Sequence, residues 1–123
     1  MGIRAFAAGD AILEQSTARY ACTFVDHTGA AIDSAAVSAI TATLKDASDE
    51  TTINSRAAQS VLNVNGGTMG SNGAFALVLS TLDTIARGTE PIQPRRLTLM
   101  VTFSEGVLTH EVNFFVRSLA DIS

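Results

Sequence analysis

The stretch LTLMVTF at residues 97–103, the link SEGV at 104–107 and the stretch LTHEVNFFV at 108–116 read as one β-hairpin. Apolar residues alternate along both arms, with Leu97, Leu99, Val101 and Phe103 on one face of the first and Leu108, Val112 and Phe114 on one face of the second. With Glu105-Gly106 as a two-residue turn, Phe103 opposes Leu108, Val101 opposes His110, Leu99 opposes Val112 and Leu97 opposes Phe114. A three-residue Ser104-Glu105-Gly106 loop would slip the register by one and set Leu99 against Glu111, so burial favours the even loop. The stretch predicts a sheet with one apolar face and one wet face.

Outward from the hairpin, length and composition set the class. A chain of 123 residues and 12.8 kDa makes one domain, which on folding buries roughly two thirds of its unfolded surface. A hydrophobic fraction of 46% with 16% charged residues excludes a disordered chain, and the polar interruptions exclude a membrane-spanning helix. A soluble globular domain is expected. The net charge of -4 and the absence of any basic run longer than Arg95-Arg96 argue against nucleic acid as a partner. Cys22 is the only cysteine, which excludes an intrachain disulfide and reads as a small core residue. The start of the chain lacks the pattern of a secretion signal, and Phe6 stands where a myristoylation signal needs Ser or Thr. No membrane partner is expected.

Residues 1–10 (MGIRAFAAGD) carry Ile3 and Phe6 among small residues and have no usable period, so they read as an extended N-terminal arm on a single domain at 11–123. Such an arm packs either on its own domain or on a neighbour. Strands are expected at 11–15 and at 19–25, the latter with Tyr20, Cys22 and Phe24 on one face, followed by a turn at Asp26-His27-Thr28-Gly29. A further strand covers 37–45 and a polar loop 46–50. Between Ile53 and Asn63, apolar residues recur at four-residue steps, which predicts a short helix capped by Asn54. Phe75, Leu77 and Leu79 alternate as a strand between turn clusters at 65–67 and 71–73. Ser80 to Gly88 reads as one or two helical turns, capped by Ser80 and Asp83, with Arg87 near the C-terminal end. Pro91 and Pro94 hold an extended connection into the hairpin. The pattern predicts an all-β fold, an immunoglobulin-like antiparallel β-sandwich with one or two short helices.

Reactive constellations do not emerge from the sequence. His27 sits in a turn beside Asp26, and His110 is expected on the inward face, partly buried and hydrogen-bonded to backbone rather than catalytic. Asp46, Asp49 and Glu50 form an acidic cluster without the spacing of a calcium loop, and the glycines at 66, 67, 70 and 73 fail as a phosphate cradle. No catalytic residue, metal or cofactor is expected, and the protein reads as non-enzymatic. Arg96 is expected roughly opposite Phe115 on the outer face of the hairpin, where an exposed aromatic beside a cation would suit contact with another subunit. The candidate interaction residues are Ile3, Phe6, Ile12, Arg96 and Phe115.

Two stretches carry a resemblance. Gly9-Asp10 through Phe24-Val25-Asp26, Thr28-Gly29-Ala30, Ile32-Asp33 and Ile40 to Lys45 resemble the start of immunoglobulin-like modules in tailed-phage virion proteins, among them the N-terminal domain of baseplate upper proteins. Ile53-Asn54-Ser55-Arg56, Gln59, Val61-Leu62-Asn63, Gly73 with Phe75, Asp83-Thr84 and His110-Glu111-Val112 with Phe114 are similar to small phage structural proteins of the head and head-tail region. The chain lacks the Trp and the cysteine pair of antibody domains. The resemblance implies a virion protein, assembled in the host cytoplasm, that decorates or cements the capsid by binding across neighbouring shell subunits. The implied partners are the major capsid protein or other virion proteins, together with self-association. The same resemblance leaves a neck, tail or baseplate module open, and a receptor- or carbohydrate-binding module stands behind both. On this view, deleting residues 2–10 leaves the domain folded and weakens incorporation into particles.

Overall fold

In the computed structural model, which describes residues 4–87 and 90–118, alternation of apolar and polar residues is converted into ten strands. They are β1 (Arg4–Phe6), β2 (Ala11–Leu13), β3 (Ala18–Thr23), β4 (Val37–Asp46), β5 (Thr51–Thr52), β6 (Gln59–Ser60), β7 (Gly67–Met69), β8 (Ala74–Leu79), β9 (Ile92–Phe103) and β10 (Gly106–Arg117). One sheet has the order β1-β3-β8-β7; the other has the order β2-β10-β9-β4-β5, with β6 also paired to β4. The two sheets enclose a core that includes Ile40, Ala42 and Leu44 of β4, Leu97, Leu99 and Val101 of β9, and Leu77 and Leu79 of β8. This is an all-β sandwich. With β1, β3, β8 and β7 in the A, B, E and D positions and β4, β9 and β10 in the C, F and G positions, the strand order is that of an immunoglobulin-like domain. Two pairings depart from a purely antiparallel plan, since β1 runs parallel to β3 and β2 parallel to β10.

The hairpin forms with a different register from the one expected. Gly106 pairs with Phe103, Leu108 with Val101, His110 with Leu99, Val112 with Leu97 and Phe114 with Arg95, so the turn is Ser104-Glu105. Gly106, at φ +139°, follows the turn in a backbone region that only glycine enters without strain. The displacement is two residues, and side chains alternate with period two, so every side chain keeps its expected face.

Residues 4–10 belong to the sandwich. β1 pairs with β3 from Arg4↔Ala18 to Phe6↔Tyr20, and the chain reverses through residues 7–10, where Gly9 N donates to Asn113 O at 2.7 Å and the Asp10 carboxylate accepts from Ala7 N at 2.9 Å. Phe6 fills the core between Tyr20 and Phe114, with ring centroids 5.5 and 5.0 Å away. From residue 4 the expected arm is therefore the short strand β1 and a turn, and β2 falls within the strand expected at 11–15.

Neither predicted helix is present among the described residues, where the only helical segment is a single 3₁₀ turn at Ser34–Ala36. In place of the first, residues 51–61 run back along the edge of β4: Ile53 N donates to Leu44 O, Leu44 N to Arg56 O and Val61 N to Ile40 O. Asn54, Ser55, Ala58 and Asn63 have positive φ, which a helix excludes. The open backbone groups of β4 capture this segment, Ile53 and Val61 are buried, and Ala57 and Ala58 face solvent. At 80–87 the expected local cap forms as a turn without a helix, with Asp83 N donating to Ser80 O and Ser80 N to the Asp83 carboxylate. Pro94 falls inside β9 opposite Phe115, near the strand's start, where a missing N–H is tolerated.

Candidate functional site

Four groups of side chains stand out among the described residues, three inside the fold and one at its end. Arg56 and Asp83 form a buried pair: Arg56 Nε and Nη2 donate to the two Asp83 carboxylate oxygens at 2.6 and 2.9 Å, and Asn54 Nδ2 and Ser80 N complete the shell at 2.9 and 2.8 Å. Burial alone would raise the Asp83 carboxyl, but the bonds from Arg56, Asn54 and Ser80 outweigh it and hold the group below the usual range. The second set centres on Arg95, fully buried in β9, which donates to Gln93 Oε1, Ile85 O and Pro94 O and lies 3.5 Å from Asp46. Arg87 bridges Asp46 and Asp49 at its outer side. Both sets tie the loops at one end of the sandwich together. Their charges are paired internally, except that Arg95 Nε is buried with no hydrogen-bond partner among the described residues.

The nearest approach to a reactive group is Tyr20, Cys22 and His110. Tyr20 Oη and His110 Nε2 are 2.7 Å apart, Phe24 meets the imidazole edge, and Cys22 lies on the same face of β3 as Tyr20. Burial pushes the Cys22 thiol up to about 11, the reverse of an activated nucleophile, and it also lowers the pKa of His110. These shifts favour a neutral cluster that seals the core. They have a consequence for stability. Below pH about 6.5 the unfolded chain takes up the imidazole proton before the folded one does, so this part of the stability is complete above that pH and declines as pH falls through the lowered native value. Asp46, Asp49 and Asp83, all lowered, give a second decline below about pH 4. Urea midpoints from pH 8 to 3 are expected to fall in these two stages, and His110→Gln to remove the first stage alone. An undiminished first stage in that variant would assign the proton elsewhere.

The fourth group is a cleft of about 480 Å³ at the opposite end of the sandwich, between the β3–β4 connection and the hairpin turn. Phe103 and Leu108, half-buried against the core, line it; Val25 and Val107 stand exposed at 42% and 57%; Asp26, His27 and Glu105 complete the lining. The loops that hold it are cross-tied. Phe24 N donates to Gly73 O, Ile32 N to Phe24 O and Ser104 N to Ala36 O, and Val25 bridges Ala31. The Asp26-x-x-Gly29 turn read from the sequence forms here: Asp26 Oδ1 accepts from Thr28 N, Thr28 Oγ1 and Ala30 N, and Gly29 takes φ +86°. The hydroxyl and N–H of Thr28 hold the Asp26 carboxyl below its usual range, so it carries charge throughout neutral pH. Exposed apolar side chains beside a fixed charged turn in one hollow are what a docking surface requires. A second hollow, of about 470 Å³, lies on the outer face of β3, β8 and β7, where Arg19, Thr23 and Thr68 join Ala21, Ala74 and Ala76 in the lining.

The residues expected to mediate contacts are dispersed. Phe6 and Ile12 are core residues, 6% and 0% exposed, because β1 and β2 fold onto the sheets of their own chain. Ile3 lies outside the described residues. Arg96 faces Asn113, not Phe115, across the hairpin, and its guanidinium is bound by Glu50. Phe115, opposite Pro94 and beside Ala11, keeps part of its ring exposed on the outer face. The cleft residues were missed because their contact joins positions some 80 apart in the chain. The one local signal was Val25 and Val107, apolar residues directly beside turns. Comparison with protein-family models, curated proteins and solved structures gives no match to the chain.

Proposed function

We propose that the chain is a non-enzymatic structural protein of a tailed-phage particle that acts by binding, as a capsid decoration or cement protein bridging neighbouring shell subunits. The observation that supports binding as its mode of action is the loop-end cleft, where Val25 and Val107 stand out of a cross-tied end of the sandwich. The resemblance of the two stretches at 9–45 and 53–114 supplies the particle. The N-terminal segment no longer serves as the reaching element, because residues 4–6 are paired within the chain, so contacts with neighbours fall to the loop end. A neck, tail or baseplate ring assembled by strand pairing is less favoured, since β1, β2, β5 and β7, which lie at sheet edges, are two or three residues long. A carbohydrate-binding module is less favoured still: Tyr20, the only Tyr of a chain without Trp, is buried against His110.

The test is the number of copies per purified particle, measured by quantitative mass spectrometry against the major shell subunit. A number comparable to that subunit is expected. A small ring-like number would move the protein to the neck or tail, and absence from particles would overturn the virion assignment.

A further inference from the structure

We propose that the loop-end cleft docks a polypeptide segment of a partner protein that presents Lys or Arg beside a large apolar side chain. The inference rests on the binding role argued above and adds the chemistry of the partner.

Charge is distributed unequally along the sandwich. The segments that build the loop end, residues 24–36, 70–73 and 103–107, contain Asp26, Asp33 and Glu105 and none of the eight Lys and Arg residues of the chain. Two of those carboxylates, Asp26 and Glu105, line the cleft itself. They share that lining with the apolar Phe103, Leu108, Val25 and Val107. Asp26 is held in place by its turn and kept ionised by it, so this negative charge is pre-formed and costs little further ordering on binding. A cation aligned with this charge and an apolar side chain seated on Phe103 and Leu108 would satisfy both features together. An acidic or purely polar segment would satisfy neither.

A second copy of this chain is a poorer occupant. Arg56 is engaged by Asp83, Arg87 by Asp46 and Asp49, and Arg96 and Lys45 by Glu50, while Arg19 stands exposed on the flank of β3. End-to-end docking through the first four would have to break these pairs. A partner bearing unpaired basic residues does not.

The test uses the intact folded chain, labelled with nitrogen-15, and three short acetylated peptides composed of Lys and Leu, Glu and Leu, or Lys and Ser. In about 0.15 M salt, the Lys–Leu peptide is expected to shift the amide signals of residues 25–28 and 103–108 and to bind at least about tenfold more tightly than the other two. Glu105→Lys and Val107→Asp, both at exposed positions of the hairpin end, are each expected to weaken that binding about tenfold with the remaining spectrum unchanged. Equal binding of the Lys–Leu and Glu–Leu peptides, shifts elsewhere on the surface, or indifference to both substitutions would overturn the proposal. Concentration-dependent shifts of the same amides without peptide would overturn it in favour of a second copy. No particle enters this experiment, so its failure leaves the virion assignment standing, and absence from particles leaves the selectivity of the cleft standing.

Discussion

Arg56→Ala is expected to lower the unfolding free energy by about 3–5 kcal/mol, the effect of stranding a buried carboxylate. Asp83 has no exposed surface and Arg56 only 4%, and the pair is bidentate. Removal of the guanidinium leaves Asp83 with Asn54 and Ser80 alone and also deprives Gln59 Oε1 and Asn65 O of their donors. The damage spreads because this pair anchors the irregular segment after β5 to the turn after β8. The double variant Arg56→Met with Asp83→Leu exchanges both charges for apolar groups and is expected to cost clearly less than the sum of the two single changes. Urea unfolding at pH 7, with midpoints and slopes compared, checks both statements. A loss below about 1 kcal/mol for Arg56→Ala would show that the pair contributes no more than a surface ion pair.

Phe6→Ala is expected to cost about 3–5 kcal/mol, as for a large aromatic removed from a packed interior. Phe6 is 6% exposed and lies within aromatic contact of both Tyr20 and Phe114, so its ring joins the two sheets. Deletion of residues 2–10 removes that ring together with the β1–β3 pairing and the Gly9–Asn113 and Asp10–Phe115 backbone bonds. The truncated chain is therefore expected to be destabilised at least as much as Phe6→Ala, in place of the folded domain that the reading of an arm predicts. Thermal and urea unfolding of both variants measures this. Unchanged midpoints would mean that the segment does not pack on its own chain in solution and is free for a neighbour.

The cleft was out of reach of sequence reasoning although each of its pieces was visible. The Asp26 turn and the hairpin arms were legible because turn chemistry and period-two alternation act over a few residues. Their meeting at one end of the sandwich depends on the order β3-β8-β7 against β4-β9-β10, which no local pattern encodes. The four-residue recurrence from Ile53 to Leu62 shows the opposite failure. It is a local signal for a helix, overridden because the edge of β4 needed hydrogen-bond partners and Arg56 needed Asp83.

By itself, the sequence determined the fold class, the inward faces of β3, β4, β8, β9 and β10, and the core places of Leu97, Leu99, Val101, Val112 and Phe114, because alternation sorts side chains between water and interior wherever the strands meet. It did not determine the turn of the hairpin, since registers two residues apart bury the same face and differ only in the backbone preference of Gly106. Only the tertiary structure decided where residues 4–6 pack, which carboxylate receives Arg56, and that Val25 and Val107 share one acidic, apolar end. Each of these depends on contacts between segments remote in the chain, whose energies exist only once the two sheets have closed on each other.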